Sequence, residues 1–240
     1  MPSTTTKSKY WSGMRDSAPF LLIVGPFSVL FGVLATEAGL NIFEVMSFSL
    51  VVIAGAAQFT ALQLMQDEAP TFIILMSALA VNLRVAMYSA ALTPYLGQSA
   101  LWQRVCVSYL LVDQNYALSH TKFEAEPTLT TSQRLAYYFG TCSLIVTTWL
   151  LGSYIGAALG FIFPQNLPLD LALPIAFLSM IAPMMRTLPH LIAATVAIMI
   201  SIFAAGMPYS FGLILAGLAG MITGAQTEVW LQRRLKCKKL

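Results

Sequence analysis

Charge is scarce in this sequence. Asp, Glu, Lys and Arg make up 10% of its 240 residues, against about 25% in an ordinary soluble domain. Cysteine and histidine are nearly as scarce, at three and two residues. Cys106, Cys142 and Cys237 stand apart with no CxxC pair, so neither a zinc site nor a disulfide framework is supported, and a metal centre is not expected from His120 and His190 alone. There is no HExxH, no GxSxG and no Walker-type loop. The chain therefore reads as a non-enzyme without a cofactor, and any pumping has to draw on an ion gradient or a partner. The net charge of +3 is small, and no nucleic-acid partner is expected from it.

What the sequence does have is apolar length. Hydrophobic residues make up 58% of it and the mean hydropathy is +0.74. Such a chain cannot cover itself with polar surface in water, so lipid is its solvent. At about 20 apolar residues per crossing, the fold class is an all-α integral membrane protein, a bundle of about eight transmembrane helices. The segments read as 18–38, 42–65, 71–95, 101–119, 135–163, 169–185, 188–205 and 209–227. The fourth is interrupted by Arg104, Asp113, Gln114 and Asn115, and a re-entrant course is its alternative. Residues 1–17 read as a cytoplasmic N-terminal segment, 18–228 as a transmembrane domain and 229–240 as a basic cytoplasmic tail. The run after residue 17 is too long for a signal-peptide core and reads as a retained first helix.

Cations orient the set. Lys7, Lys9 and Arg15 at one end and Arg233, Arg234, Lys236, Lys238 and Lys239 at the other put both termini in the cytoplasm, with an even number of crossings. Eight crossings leave Arg104 alone near an outer loop. The tail cations also suit anionic lipid headgroups. A loose internal repeat, with halves starting near residues 18 and 135, links Phe31-Gly32 and Ser47-Phe48-Ser49 with Gly156 to Phe163 and Ala176-Phe177-Leu178; such duplication is common in transporters. Gly152, Gly156 and Gly160, like Gly220 and Gly224, recur at four-residue spacing, as close helix packing in lipid requires.

A few polar residues lie deep in the apolar segments. Arg84 sits mid-segment with Asn82 two positions earlier. A charge at the bilayer centre costs at least about 2.5–3.5 kcal/mol, so it must face protein or a wet cavity. Its guanidinium suits a substrate carboxylate; the alternative is a fixed ion pair with Asp113. Asp113 is the one carboxylate well inside an apolar segment, and reads either as a carrier of a coupled proton or as charge compensation. Gln58, in the small-residue run Ala54-Gly55-Ala56-Ala57, fits a substrate pocket or an interhelical hydrogen bond. Gly25-Pro26, Pro174 and Pro183 are the candidate helix breaks or kinks, and His190 with Arg186 reads as an interfacial anchor.

Four motifs carry a family resemblance: Phe27-Ser28-Val29-Leu30-Phe31-Gly32, Ala54-Gly55-Ala56-Ala57-Gln58-Phe59, Val81-Asn82-Leu83-Arg84, and Leu110 to Leu118, LLVDQNYAL. Their order and spacing resemble the AzlC-like proteins, large subunits of bacterial branched-chain amino acid exporters. Two departures stand out: Asp113-Gln114 where the family commonly has Asp-Glu, and Val85 where it often has histidine. The resemblance implies an inner-membrane secondary transporter. It would export leucine, isoleucine, valine and often methionine together with a small hydrophobic subunit of the AzlD type. The zwitterion would then meet Arg84, Asn82, Gln58, Gly55 and Asp113, with Asp113 also coupling the proton. The competing reading is a membrane subunit that does not transport and stabilises or regulates a partner. An intramembrane enzyme would need two carboxylates, or a nucleophile and base, at one depth.

Overall fold

Hydrocarbon offers no hydrogen bonds, so a buried backbone must close its own, and the described residues do so as helices. The computed structural model describes residues 5–160, 185, 187–204, 206 and 211–237. The helices are α1 Thr6–Ser17, α2 Leu21–Glu37, α3 Ile42–Val51, α4 Gly55–Gln66, α5 Thr71–Leu96, α6 Leu101–Tyr109, α7 Asp113–Ala125, α8 Thr131–Gly160, α9 Leu188–Phe203 and α10 Phe211–Cys237. A 3-10 turn, Ala18–Phe20, joins α1 to α2. The chain divides into two compact units, Met1–Leu169 and Asp170–Leu240. The sixth segment with Pro174 and Pro183, the repeat elements from 161 to 178, and Arg186 lie outside the described residues.

Three helical stretches of the first unit have the length and apolarity of membrane spans: Thr6–Glu37, Thr71–Leu96 and Thr131–Gly160. α2 and α8 run parallel. Going up both helices, Gly25 and Ser28 meet Gly152, Val29 and Gly32 meet Gly156, and Thr36 meets Gly160. The glycine row is thus a packing seam. A Cβ on Gly156 would strike the Val29 carbonyl and lie 3.0 Å from the Gly32 Cα, which only glycine avoids. α5 runs antiparallel to α8: Tyr95, at its C-terminal end, offers its carbonyl to Arg134 at the start of α8.

The second and fourth apolar segments do not cross. Each is two half-helices folded back on a short unwound tip in place of the single span read from the sequence; for the fourth segment this is the re-entrant alternative. α6 climbs back beside α5, and residues of both helices line one cleft. The chain unwinds at residues 110–112, and α7 then descends beside α5. Arg84 pairs with Asp113 at 2.9 Å, Tyr88 stacks on Tyr116 at 4.2 Å, and Tyr95 meets His120 at 6.0 Å. The first hairpin enters from the other end. Phe31 touches both Phe48 of α3, at 5.8 Å, and Phe59 of α4, at 5.5 Å. Gln58 reaches back to Ser49 at 3.4 Å, a contact a straight helix would forbid, since nine residues span about 13 Å. The tips touch where the Tyr109 hydroxyl donates to the Leu50 carbonyl.

Of the two readings of Gly25-Pro26, a break or a kink, the break does not occur: α2 continues through Pro26. Proline deletes one backbone donor, whereas a reversal needs a tip whose freed groups find other partners. Helix α1, residues 6–17, packs more closely than a polar extension would. Lys9 is 8% exposed, with Nζ 2.5 Å from Glu126, and Gly13 of α1 crosses α8 against the Tyr137 carbonyl. The Lys9 and Lys122 ammonium groups hold the Glu126 carboxyl below the usual carboxylate range. In the second unit α9 and α10 form an antiparallel hairpin, with Ala193 against Gly220 and Gly224, and Ala204 against Gly212.

This course places Ser99 and Glu124 at one end of the unit and Asp67 at the other. Cysteines at the first two positions should react from the same side of the membrane with an impermeant thiol reagent, and one at Asp67 from the opposite side; Glu124 labelled together with Asp67, and opposite Ser99, would restore the eight-crossing path. Gly156→Leu should abolish the α2–α8 seam, at a cost of roughly 1–3 kcal/mol or more for overpacking, read as loss of the monodisperse peak after mild heating in detergent.

Candidate functional site

Two half-helices point their N-termini at the middle of the first unit, α4 from one end and α7 from the other. Each such terminus presents unpaired N–H groups and roughly half a positive charge. The two are completed differently. Asp113 is the first residue of α7 and answers its dipole within the protein. The cap of α4 is Ala54, which makes no side-chain bond, and no acidic residue occupies its first turn. One terminus therefore carries its own carboxylate and the other has none.

Arg84 is the fourteenth of the 26 residues of α5, the depth at which a charge is costliest. Its Nη2 lies 2.9 Å from Asp113 Oδ2, with the side chains 35% and 21% exposed, so the pair borders open space and is not sealed in a core. Arg84 Nε and Asp113 Oδ1, both inaccessible to solvent, have no hydrogen-bond partner among the described residues. Tyr88 lies within electrostatic reach of both charges, and its stack on Tyr116, at 11° between ring planes, closes the space on the α8 N-terminal side of the pair.

Gln58 is fully buried. Its Nε2 contacts Ser49 Oγ, which holds the amide at the tip, while Oε1 stays unpartnered. Gly55 lies under an aromatic wall: a Cβ there would be 2.8 Å from Trp149 Cη2 and 3.3 Å from Phe27 Cε1. Phe27 and Phe59 pack at 4.6 Å and Phe31 stacks on Trp149 at 5.9 Å. The small residues of Ala54 to Ala57 thus admit the indole, and do not leave the gap expected from sequence. Trp149 is 7% exposed and its Nε1 has no acceptor among the described residues. Unpaired buried polar atoms are uncommon; among the described residues four of the eight, Gln58 Oε1, Arg84 Nε, Asp113 Oδ1 and Trp149 Nε1, lie around the two tips.

Of the five residues singled out by sequence, the structure brings together Arg84 and Asp113, and puts Gly55 and Gln58 at the neighbouring tip. Asn82 is not part of the site. Two residues from Arg84 it is turned some 200° around the helix, and it makes no side-chain hydrogen bond among the described residues. Sequence reasoning missed Ser49, Tyr88, Tyr109, Tyr116, Trp149 and above all Asn115. Fully buried, Asn115 accepts from the Val112 amide at 2.9 Å and donates to the Leu110 carbonyl at 2.6 Å and to Cys142 Sγ at 3.0 Å. It thereby replaces the helical bonds lost at residues 110–112. The signal was present in LLVDQN, where an amide follows a carboxylate in an apolar run. Among the described residues no group of three or more His, Cys, Asp or Glu could hold a metal.

The AzlC protein family matches residues 19–163, which contain both hairpins, Arg84 and Asp113. The chain belongs to the AzlC family. As an AzlC protein it is similar to the inner membrane protein YgaZ of Escherichia coli K12, at 25% identity over 92% of this chain and 89% of that protein. It is also similar to uncharacterized membrane proteins of two Helicobacter pylori strains, 26695 and J99, each 25% identical over 54% of the chain and 55% of the relative. No solved structure matches this AzlC chain.

Asn115→Leu should leave two backbone groups unpaired at the α6–α7 tip, at about 1–3 kcal/mol for each. The expected result is a clear fall in the detergent melting temperature and loss of Arg84-dependent activity, while Asn82→Leu changes neither. Equal melting temperatures for the two variants would remove Asn115 as the clasp.

Proposed function

We propose that this membrane protein exports branched-chain and related hydrophobic amino acids, leucine, isoleucine, valine and methionine, across the bacterial cytoplasmic membrane. A proton gradient drives it, and a small hydrophobic subunit of the AzlD type works with it. The observation that carries this reading is the convergence of the α4 and α7 N-termini on the Arg84–Asp113 pair. Opposed half-helices with unwound tips are the usual construction of a transporter site at the membrane midplane, and a non-transporting subunit has no need of them.

The chemistry fits a zwitterion with an aliphatic side chain. Its carboxylate suits the uncapped α4 terminus and Arg84, its ammonium suits Asp113 Oδ1 and Gln58 Oε1, and its side chain suits the aromatic wall of Phe27, Phe59 and Trp149. Arg84 cannot release its proton at any working pH, whereas Asp113 can take one up. A protonated Asp113 weakens its hold on Arg84 and leaves the guanidinium free for the substrate carboxylate. Proton and substrate then compete for the same pair, which is a way to couple them. The orientation proposed is cytoplasmic for both termini. In the first unit Arg104, Lys122 and Arg134 flank the end at which α8 begins, and Glu37, Asp67 and Glu68 flank the other. Arg104, an exception under eight crossings, then obeys the positive-inside rule.

The test is efflux of the four amino acids from dipeptide-fed bacteria, with and without the small subunit. Arg84→Ala and Asp113→Asn should each lower efflux at least about tenfold, because removing one partner strands a poorly solvated charge. Arg84→Met combined with Asp113→Leu should restore membrane levels without restoring efflux. Unchanged efflux in both single variants would end the assignment.

A further inference from the structure

The face of α7 that bears Asp113 carries titratable groups down to the far end of the helix. Asp113, Tyr116, His120 and Glu124 follow one another at three, four and four residues, so they share one side of α7. Arg84, Tyr88 and Tyr95 share a side of α5 in the same way and stand opposite. The contacts follow in sequence. Tyr88 lies within electrostatic reach of Asp113 and stacks on Tyr116 at 4.2 Å. Tyr116 meets the His120 ring at 5.5 Å, and Tyr95 borders it at 6.0 Å. His120 Nδ1 lies 3.5 Å from Glu124 Oε2. The Asp113, His120 and Glu124 side chains are 21%, 29% and 60% exposed, so the row opens progressively toward the end of the unit where α8 begins.

We propose that His120 is the residue through which Asp113 exchanges its proton with the water at that end, the Tyr88 and Tyr116 hydroxyls forming the link between them. The proposal deepens the proton-coupled export reading and rests on it. His120 is the single histidine of the first unit, and imidazole is the side chain that takes up and gives up protons near neutral pH. In the step, the Asp113 O–H bond breaks and each tyrosine hydroxyl passes its own proton onward as it receives one. The imidazole takes a proton at Nε2 and releases one from Nδ1 toward Glu124 and water. Asp113 ends one proton poorer and the water one richer, while the tyrosines and His120 end neutral. α5, α8 and α1 pack against α7. From α5, Tyr95 faces the imidazole. From α8, Arg134 stands over the Tyr95 and Phe123 rings at 5.3 and 5.9 Å and opposes a charged imidazole. From α1, Lys9 is taken up by Glu126. Glu124, on α7 itself, favours the charged form. A purely structural duty at the C-terminal dipole of α7 is already filled by Lys122 in the last turn.

The test uses the full chain with the small AzlD-type subunit in proteoliposomes and compares two fluxes. Net leucine efflux driven by a proton gradient requires Asp113 to gain and lose a proton in every cycle, whereas leucine–leucine exchange does not. His120→Gln should slow net efflux at least about tenfold more than exchange, a modest share of what a proton-transferring side chain contributes. Tyr116→Phe, which keeps the ring stack and removes only the hydroxyl, should do the same. A second readout needs no substrate. In nanodiscs, the infrared carbonyl band of protonated Asp113, assigned with Asp113→Asn, should form at least about tenfold more slowly after an acid jump in both variants. Net efflux and exchange falling in equal measure would make His120 a structural residue and overturn the proposal, and so would a band that forms at the parent rate. No flux of any of the four amino acids in the parent, with the band still slowed in both variants, would remove the export reading and keep the proton path.

Discussion

An unwound backbone deep in an apolar protein survives only where each freed amide and carbonyl finds a partner, and this architecture depends on how two such stretches are satisfied. At residues 110–112 the work falls to one side chain: Asn115 receives from Val112 and gives to Leu110. At residues 52–54 it is shared. Val52 keeps a bond to the Phe48 carbonyl, Gln58 clasps Ser49, and Tyr109 of the other hairpin takes the Leu50 carbonyl. The last bond ties the two tips together, so the opposed helix ends are held in register by the bonds that make each reversal tolerable.

Around that centre the first unit is rigid on one side and open on the other. α2 and α8 meet glycine to backbone along Gly152, Gly156 and Gly160, which leaves little freedom for either to slide. α5 is different: only Ser77, Leu92 and Leu96 are buried along it, and Phe72, Leu79, Leu83 and Met87 are exposed. The helix that carries Arg84 is therefore the span least fixed by packing, and its firmest tie to α7 is the ion pair itself together with the Tyr88–Tyr116 stack. A proton or an anion that competes for this pair acts on the element with the least packing to overcome.

The two N-termini also explain why the candidate site is asymmetric. α7 supplies its own anion in Asp113, and α4 supplies none. A neutral amino acid brings one group of each sign, and the pair of termini with Arg84 and Asp113 matches that pattern, with Gln58 Oε1 and Trp149 Nε1 as unpaired neutral groups at its edge. Aromatic packing over Gly55 then sets how much room remains beside the α4 tip.

Composition and apolar run length by themselves determined that this is a helical membrane protein, because the cost of exposing so much apolar surface to water has no other resolution. The sequence also pointed to the Gly152 row as a contact surface and to Arg84 and Asp113 as the charges needing partners, but left their pairing as one of two readings, which the structure decided. The reversals at residues 52–54 and 110–112 were decided only by the tertiary structure. An apolar run that doubles back has the same composition as one that crosses, and its tips contain no proline; what makes them possible is the partnership of Asn115 with Leu110 and Cys142, of Gln58 with Ser49 and of Tyr109 with Leu50, contacts between residues up to 59 positions apart. For the same reason Pro26 could not be told apart as break or kink from the sequence: it removes a donor from α2 but leaves the surrounding helix with every reason to continue.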